Sequence, residues 1–331
     1  MDNIKGISVV VPNYNGEILL PKILPPLIVA LENTKLPYEI IVADDCSTDE
    51  SVNYLKQSFA FIKIITNNVN KGFAPTANLG ASIAVYSHIL FLNSDVILLP
   101  NYFDAILQKY FKDTDTFGVM GKIIGWDDDI VQDGGKMPFF VGKKIKTSGN
   151  FVPINPQKNN SYFSMYLSGA NAFVDAEKFK FIGGFNEIFA PFYVEDFELS
   201  LRAWRLGYKC YYEHFSVCRH QTSKTIKSTN TKNEIQKIYY RNKMILHALH
   251  LDGAAYKIWY LQNFLEVIFQ TLLGKAFYRK AYVLFRSLSV KIKKSKEDFN
   301  FLQQKVNSNY STSDAINIIK SAIKDYTIKK F

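Results

Sequence analysis

The chain has 331 residues, 47% hydrophobic and 15% aromatic, enough for a sizeable core and too many for a disordered protein. That length exceeds the common domain size, so one large domain with an appendage, or two domains, is expected. The net charge of +10 is uneven: residues 235–331 hold 17 Lys/Arg against 6 Asp/Glu, a net of +11, whereas the first 234 hold 23 against 24, a net of −1.

The start, Met1–Gly6, lacks the basic-then-apolar architecture of a signal peptide. It runs into Ile7-Ser8-Val9-Val10-Val11, which reads as a buried strand closed by Pro12-Asn13-Tyr14-Asn15-Gly16. A helix is predicted through Leu19–Leu31, with an irregular start at Pro21, Pro25 and Pro26. Glu39–Ala43 is a second strand ending in Asp44-Asp45, and Thr48 or Asp49 is positioned to cap a helix over 50–58. Ile62–Thr66 is a third strand, leading into Asn67–Phe73. Pro75 suits a first helical position, and Ala77, Gly80, Ala81 and Ala84 give the next helix a small-residue face. Ile89–Leu92 is a fourth strand, ending in Asn93-Ser94-Asp95. This alternation predicts an α/β fold with a parallel, doubly wound sheet. Residues 100–235 are less regular: Gly118–Gly121 reads as a short strand and 127–165 as a polar, loop-rich insertion.

Beyond 235 the pattern is helical, with aromatic and aliphatic runs among Lys and Arg. From Ile258 to Leu273 the apolar arc is wide, but Lys257, Glu266 and Lys275 limit uncharged runs to about 8 residues, against about 20 for a spanning helix. Two readings stand: an amphipathic helix on an anionic membrane surface, or a helix packed on protein. Basic residues alternating with large apolar ones do not suit a nucleic-acid groove. Cys46, Cys210 and Cys218 are too few and scattered for a disulfide framework or zinc site, and fit reduced thiols in the cytoplasm.

Four polar strand ends would meet along one sheet edge, where open α/β sheets bind ligands. They bring Pro12, Asn13 and Tyr14 together with Asp44 and Asp45, the loop containing Gly72, and Asn93-Ser94-Asp95. A carboxylate can accept a base N–H, a tyrosine offers a stacking face, and a glycine before a helix N-terminus admits phosphate. Turn chemistry accounts for each stretch singly, but less readily for four in succession. Downstream, Glu195-Asp196-Phe197-Glu198 opens a helix, where the dipole favours acids; Asp196 could there act as a general base. Cys218-Arg219-His220-Gln221-Thr222-Ser223 holds a histidine that is either merely hydrogen-bonded or, with Asp95, a metal ligand. Asp127-Asp128-Asp129 reads as a solvated turn.

Val9–Asn15, Asp44–Asp49, Asn67–Ala74, Asn93-Ser94-Asp95 and Glu195–Leu199 occur in the order seen in family 2 glycosyltransferases, and the chain resembles the rhamnosyltransferase-like bacterial branch over residues 5–225. The resemblance implies a GT-A fold, a Rossmann-like, mostly parallel sheet with flanking helices, here followed by a C-terminal helical appendage. It implies a catalytic domain over 1–234, with nucleotide-sugar binding in the first hundred residues and the acceptor side after them. The basic, aromatic-rich tail is 235–331.

The resemblance further implies a nucleotide-diphosphate sugar donor, Mn²⁺ or Mg²⁺, and inversion at the anomeric carbon. Pro12, Tyr14 and Asp44 would hold base and ribose with Asp45 close by, Gly72, Phe73 and Asn78 would line the nucleotide pocket, and Asn13 belongs to the same nucleotide-sugar-binding set. Asn93-Ser94-Asp95 takes the place of the family's Asp-x-Asp, Asp95 and His220 would bind the metal, and Asp196 would be the general base. Gly169, Glu195 and Arg202 fall on the acceptor side. Asn93 departs from the family's first Asp and leaves one charged ligand fewer; Glu198 stands where Asp is frequent. The processive Gln-x-x-Arg-Trp signature is not found, which favours single-sugar transfer. The expected setting is cell-surface glycan assembly on a glycan or lipid-linked acceptor, at the inner face of the membrane; oligomerisation is left open. A nucleotidyltransferase or a non-catalytic nucleotide-sugar-binding module are the alternatives.

Overall fold

The computed structural model describes residues 4–221 and 231–331; Thr222 and Ser223 of the histidine motif lie outside them. The first half runs β1 (Ile7–Asn13), α1 (Leu20–Asn33), β2 (Tyr38–Asp44), α2 (Ser51–Ser58), β3 (Lys63–Thr66), α3 (Phe73–Ser82), β4 (His88–Leu92), β5 (Val96–Leu98), α4 (Asp104–Lys109) and β6 (Thr116–Gly125). Then come β7 (Val131–Asp133), β8 (Gly135–Val141), β9 (Lys144–Pro153), β10 (Tyr162–Phe163), β11 (Asn171–Asp175), α5 (Ala176–Phe181), α6 (Glu195–Arg205) and β12 (Lys209–His220). The C-terminal region holds α7 (Lys232–His250), α8 (Gly253–Leu272), α9 (Ala276–Ser287), α10 (Ser289–Lys305), α11 (Thr312–Ile323) and β13 (Ile328–Lys330).

Strands β3, β2, β1 and β4 lie side by side and parallel, as the alternation predicts. Their apolar runs are buried on both faces: Val10, Ile41 and Phe91 face one core, Val9, Val11, Val42 and Leu90 the other. Past β4 the sheet becomes mixed. Antiparallel β11 sits between β4 and β6, and β12 runs parallel to β6. The far end of β12 also pairs antiparallel with β5, with His220 opposite Val96.

Several local expectations are corrected. Helix α3 starts at Phe73, so Pro75 is its third residue, still in the first turn where a missing N–H costs nothing. Neither Thr48 nor Asp49 is the cap of α2; Glu50 is, while Asp49 Oδ1 accepts from Ser51 N at 3.1 Å. The short strand at 118–121 is the middle of the ten-residue β6. Residues 127–165 are not simply loop: β8 and β9 form a hairpin, and β13 adds to it as a third strand. Its polar, lysine-rich sequence obscured a pairing completed by the last residues of the chain.

The helices after 231 share one apolar core with α3, α6 and the hairpin, through Met244, Leu246, Trp259, Phe299 and Ile319 among others. Among the described residues no helix is long and apolar enough to cross a membrane.

Candidate active site

The sheet edge opens into a cavity of about 560 Å³. Pro12, Asn13, Tyr14, Asp45, Gly72, Phe73, Asn93, Ser94, Asp95, Gly169, Glu195, Asp196 and His220 all line it. Thus residues from β1, from the loops after β2, β3 and β4, from α6 and from the end of β12 converge, although up to two hundred positions separate them.

Asp44, Asn78 and Arg202 are not on its walls. Asp44 is fully buried at the end of β2, where its oxygens accept from Asn13 Nδ2 (2.9 Å), Ser47 Oγ (2.5 Å) and Ser47 N (3.0 Å). It shapes the turn instead of facing a ligand. Its neighbour Asp45 faces the cavity and ties the next loop down, accepting from Asn67 Nδ2, from Lys71 N (2.9 Å) and from Gly72 N (2.7 Å). Asn78 pairs with the backbone of Phe185 in both senses, at 2.8 and 2.9 Å. Arg202 is spent on Glu198 and on the carbonyls of Ile182 and Gly184. Both brace the Gly183-Gly184 turn.

Gly72 sits at φ +87, and a Cβ there would lie 2.3 Å from the Pro191 carbonyl oxygen, so only glycine admits this approach. The same closeness lets Phe73 N donate to Pro191 O at 2.8 Å. The leading donors of α3 are therefore largely satisfied, and this helix N-terminus offers a phosphate less than its sequence promised.

Pairing of β5 with β12 brings His220 to Asp95, Nε2 standing 3.4 Å from Oδ1. That carboxylate oxygen is buried and accepts no hydrogen bond. An orphaned carboxylate oxygen facing an imidazole nitrogen fits a divalent cation between them, since Mn²⁺ accepts both donor types. Among the described residues no group of three His, Cys, Asp or Glu side chains gathers to hold a metal. Further ligands would come from substrate phosphate and water, as is usual for Mg²⁺-type sites. The Asp127–Asp129 turn has a structural use: Arg219 bonds Asp129 Oδ1 and the Asp128 carbonyl, both at 2.7 Å.

Asp196 lies in the first turn of α6. Burial raises its pKa above the ordinary carboxylate value, while Gly169 N (3.3 Å), Phe197 N (2.7 Å) and the Lys136 charge partly pull it back. Glu195 has less help: burial and the adjacent Asp196 push it well above the ordinary range against only the hydrogen bond of its own backbone, and its Oε2 is buried without a partner. Glu195 is thus the weaker acid of the pair, and Asp196 the one that gives up its proton first. Helix α6 enters from a strained loop, Tyr193 and Val194 both having positive φ (74 and 76), uncommon for any non-glycine residue and a clear outlier for β-branched Val194. Asn242 of α7, fully buried, holds this loop by donating to the carbonyls of Phe189 (2.6 Å), Phe192 (3.0 Å) and Tyr193 (2.8 Å). Sequence reasoning missed Lys136 and Asn242, because one lies in a segment read as loop and the other in a helix read as an appendage.

The architecture is GT-A. The crystal structure of GalNAc-T7 with UDP, GalNAc and Mn²⁺ superposes over 98% of this chain and 59% of that one, with a TM-score of 0.69 at 17% identity. The model of glycosyl transferase family 2 matches residues 8–179, more than half of the chain, and the chain belongs to that family. A validoxylamine A glucosyltransferase of Streptomyces hygroscopicus subsp. jinggangensis is 25% identical over 218 residues, covering 59% of this chain and 50% of that protein. An Escherichia coli UDP-Glc:alpha-D-GlcNAc-diphosphoundecaprenol beta-1,3-glucosyltransferase is 30% identical over 112 residues, covering 34% and 43%. The chain thus spans half or less of the length of these relatives.

Proposed function

We propose that this protein is an inverting glycosyltransferase that moves one sugar from a nucleoside-diphosphate sugar to an acceptor hydroxyl. The observation that carries the reading is one cavity holding both an unpartnered Asp95 oxygen beside His220 and the Asp196 carboxyl group. The family membership supports it. On this reading Pro12, Tyr14 and Asp45 hold the nucleoside, and Asn93, Ser94 and Asp95 lie along the diphosphate. A divalent ion held by Asp95 and His220 would supply Lewis-acid stabilisation of the charge that develops on the diphosphate.

Asp196 takes the proton of the acceptor hydroxyl while that oxygen bonds the anomeric carbon from the face opposite the leaving group. The bond from this carbon to the diphosphate oxygen breaks, and its electron pair leaves with the nucleoside diphosphate. Glu195, the weaker acid of the two, is available to donate to an acceptor oxygen when it holds its proton. The acceptor is a glycan or a lipid-linked saccharide of bacterial cell-surface glycan assembly. This draws support from the Escherichia coli relative, whose name specifies a diphosphoundecaprenol-linked acceptor, and from the basic C-terminal region. The protein would then work peripherally, at the inner face of the membrane.

A panel of nucleotide sugars, incubated with and without Mn²⁺, tests the reading. One donor should be hydrolysed slowly without acceptor, faster with Mn²⁺. A panel in which no donor is bound or cleaved would refute it.

A further inference from the structure

Helix α8 is apolar on two sides. Its inner face buries Trp259 and Val267 together with Asn263, flanked by Gln262, which accepts from Lys143 N at 3.2 Å and donates to the Val141 carbonyl at 3.4 Å, and by Glu266, which pairs with Lys144. Its outer face carries Ile258, Leu261, Phe264, Leu265, Ile268, Phe269 and Leu272, spaced at helical intervals and exposed. Leu261 and Phe269 are each 59% exposed and Leu272 81%, beyond what a scatter of surface apolar residues explains. On α9, Val283 and Leu284 are exposed too, one turn from Arg279 and Lys280.

The charge around this face is of one sign. Between Gly253 and Val290 the bases are Lys257, Lys275, Arg279, Lys280 and Arg286, and the single acid is Glu266, turned inward against Lys144. Lys257 lies on the same stripe as Leu261, Phe264 and Ile268, and the exposed Lys275, Arg279 and Lys280 close the other end. An apolar strip between cationic ends complements the interface of an anionic bilayer, where acyl chains take the apolar side chains and phosphates the ammonium groups. A second copy fits it worse. In a two-fold pairing the patch meets itself, and either helix direction sets basic ends against basic ends with no acid between them.

We propose that the outer face of α8, with the adjoining part of α9, is the surface by which this protein docks on an anionic lipid bilayer. The inference rests on the membrane-side reading above, and names the residues that make the contact.

Flotation of the full chain with vesicles tests it, comparing phosphatidylcholine alone with phosphatidylcholine containing phosphatidylglycerol. The wild type should float with the anionic vesicles, and high salt should weaken this because exposed charges are then screened. The double variant Leu261→Glu/Phe269→Glu should lose about tenfold or more in binding. Lys275→Gln/Arg279→Gln/Lys280→Gln should lose the preference for anionic lipid. Both should keep the wild-type thermal unfolding midpoint, which separates lost docking from lost fold. A wild type that floats with neither vesicle overturns the proposal, as does a concentration-dependent dimer that Leu261→Glu/Phe269→Glu dissolves. Flotation requires no donor, so docking without any sugar transfer would leave this inference standing and sink the glycosyltransferase reading, and transfer without docking would do the reverse.

Discussion

Glu195 and Asp196 are sequence neighbours in one buried helix turn, yet their acidities part. Two backbone N–H groups and Lys136 act on Asp196, whereas Glu195 has only the hydrogen bond of its own backbone and no neighbouring cation. Lys136 is itself buried, bonded to Asp133 and to Asn150 Oδ1 (2.6 Å), with its ammonium 5.0 Å from the Tyr166 ring centre. Removing that charge in Lys136→Met should raise the Asp196 pKa further. A base works only when ionised, so the acid limb of the kcat/KM profile should move to higher pH, while donor binding stays put. A limb that does not move would show that Lys136 is electrostatically silent. At this scale the sequence was informative about residue type and less so about direction. Asp95 and Asp196 were legible from the strand end and the helix start. Which of Asp44 and Asp45 faces the ligand was not, because strand neighbours point opposite ways and the choice depends on where β2 ends.

Helix α7 shows how an element outside the family match serves the site. Through Asn242 it holds the loop whose positive-φ residues Tyr193 and Val194 aim Asp196. In Asn242→Leu the carbonyls of Phe192 and Tyr193 lose their donor, while Phe189 keeps the bond from Arg241. Leaving a buried acceptor unpaired costs about 1–3 kcal/mol, and less at these part-buried carbonyls, which still favours relaxation of the strained loop. Transfer should then fall in kcat with little change in donor KM, measurable by steady-state kinetics on folded protein; an unchanged kcat would contradict this bracing role. The parallel strands and α3 were legible because their apolar periods are clean and β-α alternation permits few topologies. The hairpin of β8 and β9 was not, since half its partnership comes from β13, about 180 residues away. No local pattern reports such a pairing.

For the whole molecule, the uneven charge does not mark a separable tail. The C-terminal helices share the core of the sheet, and their contacts include buried histidines held neutral. Burial pushes His250 down to about 4 and His247 to about 3, as it does His88, on β4, to about 4. His247 Nε2 accepts from Ile145 N at 2.8 Å, a bond that protonation would abolish. These groups bind protons more readily when unfolded, near 6.5, than when folded. The stability they contribute is therefore complete above about 6.5 and is lost as pH falls toward 4. The thermal midpoint should drop clearly between pH 7.5 and pH 5; a flat profile would mean these rings are not held neutral. The sequence showed that the C-terminal region is basic and helical, but not that α8, with Trp259 and Val267 buried, leaves a second apolar side outward, which depends on what it packs against. The division of labour in the cavity is tested most directly by titrating the donor with Mn²⁺ into Asp196→Asn and Asp95→Asn, and measuring transfer in the same samples. Asp196→Asn should bind donor like the wild type and lose transfer by about 10²–10⁴-fold, whereas Asp95→Asn should lose the Mn²⁺-dependent part of donor binding. Unchanged turnover in the first, or unchanged Mn²⁺-dependent binding in the second, would contradict the account.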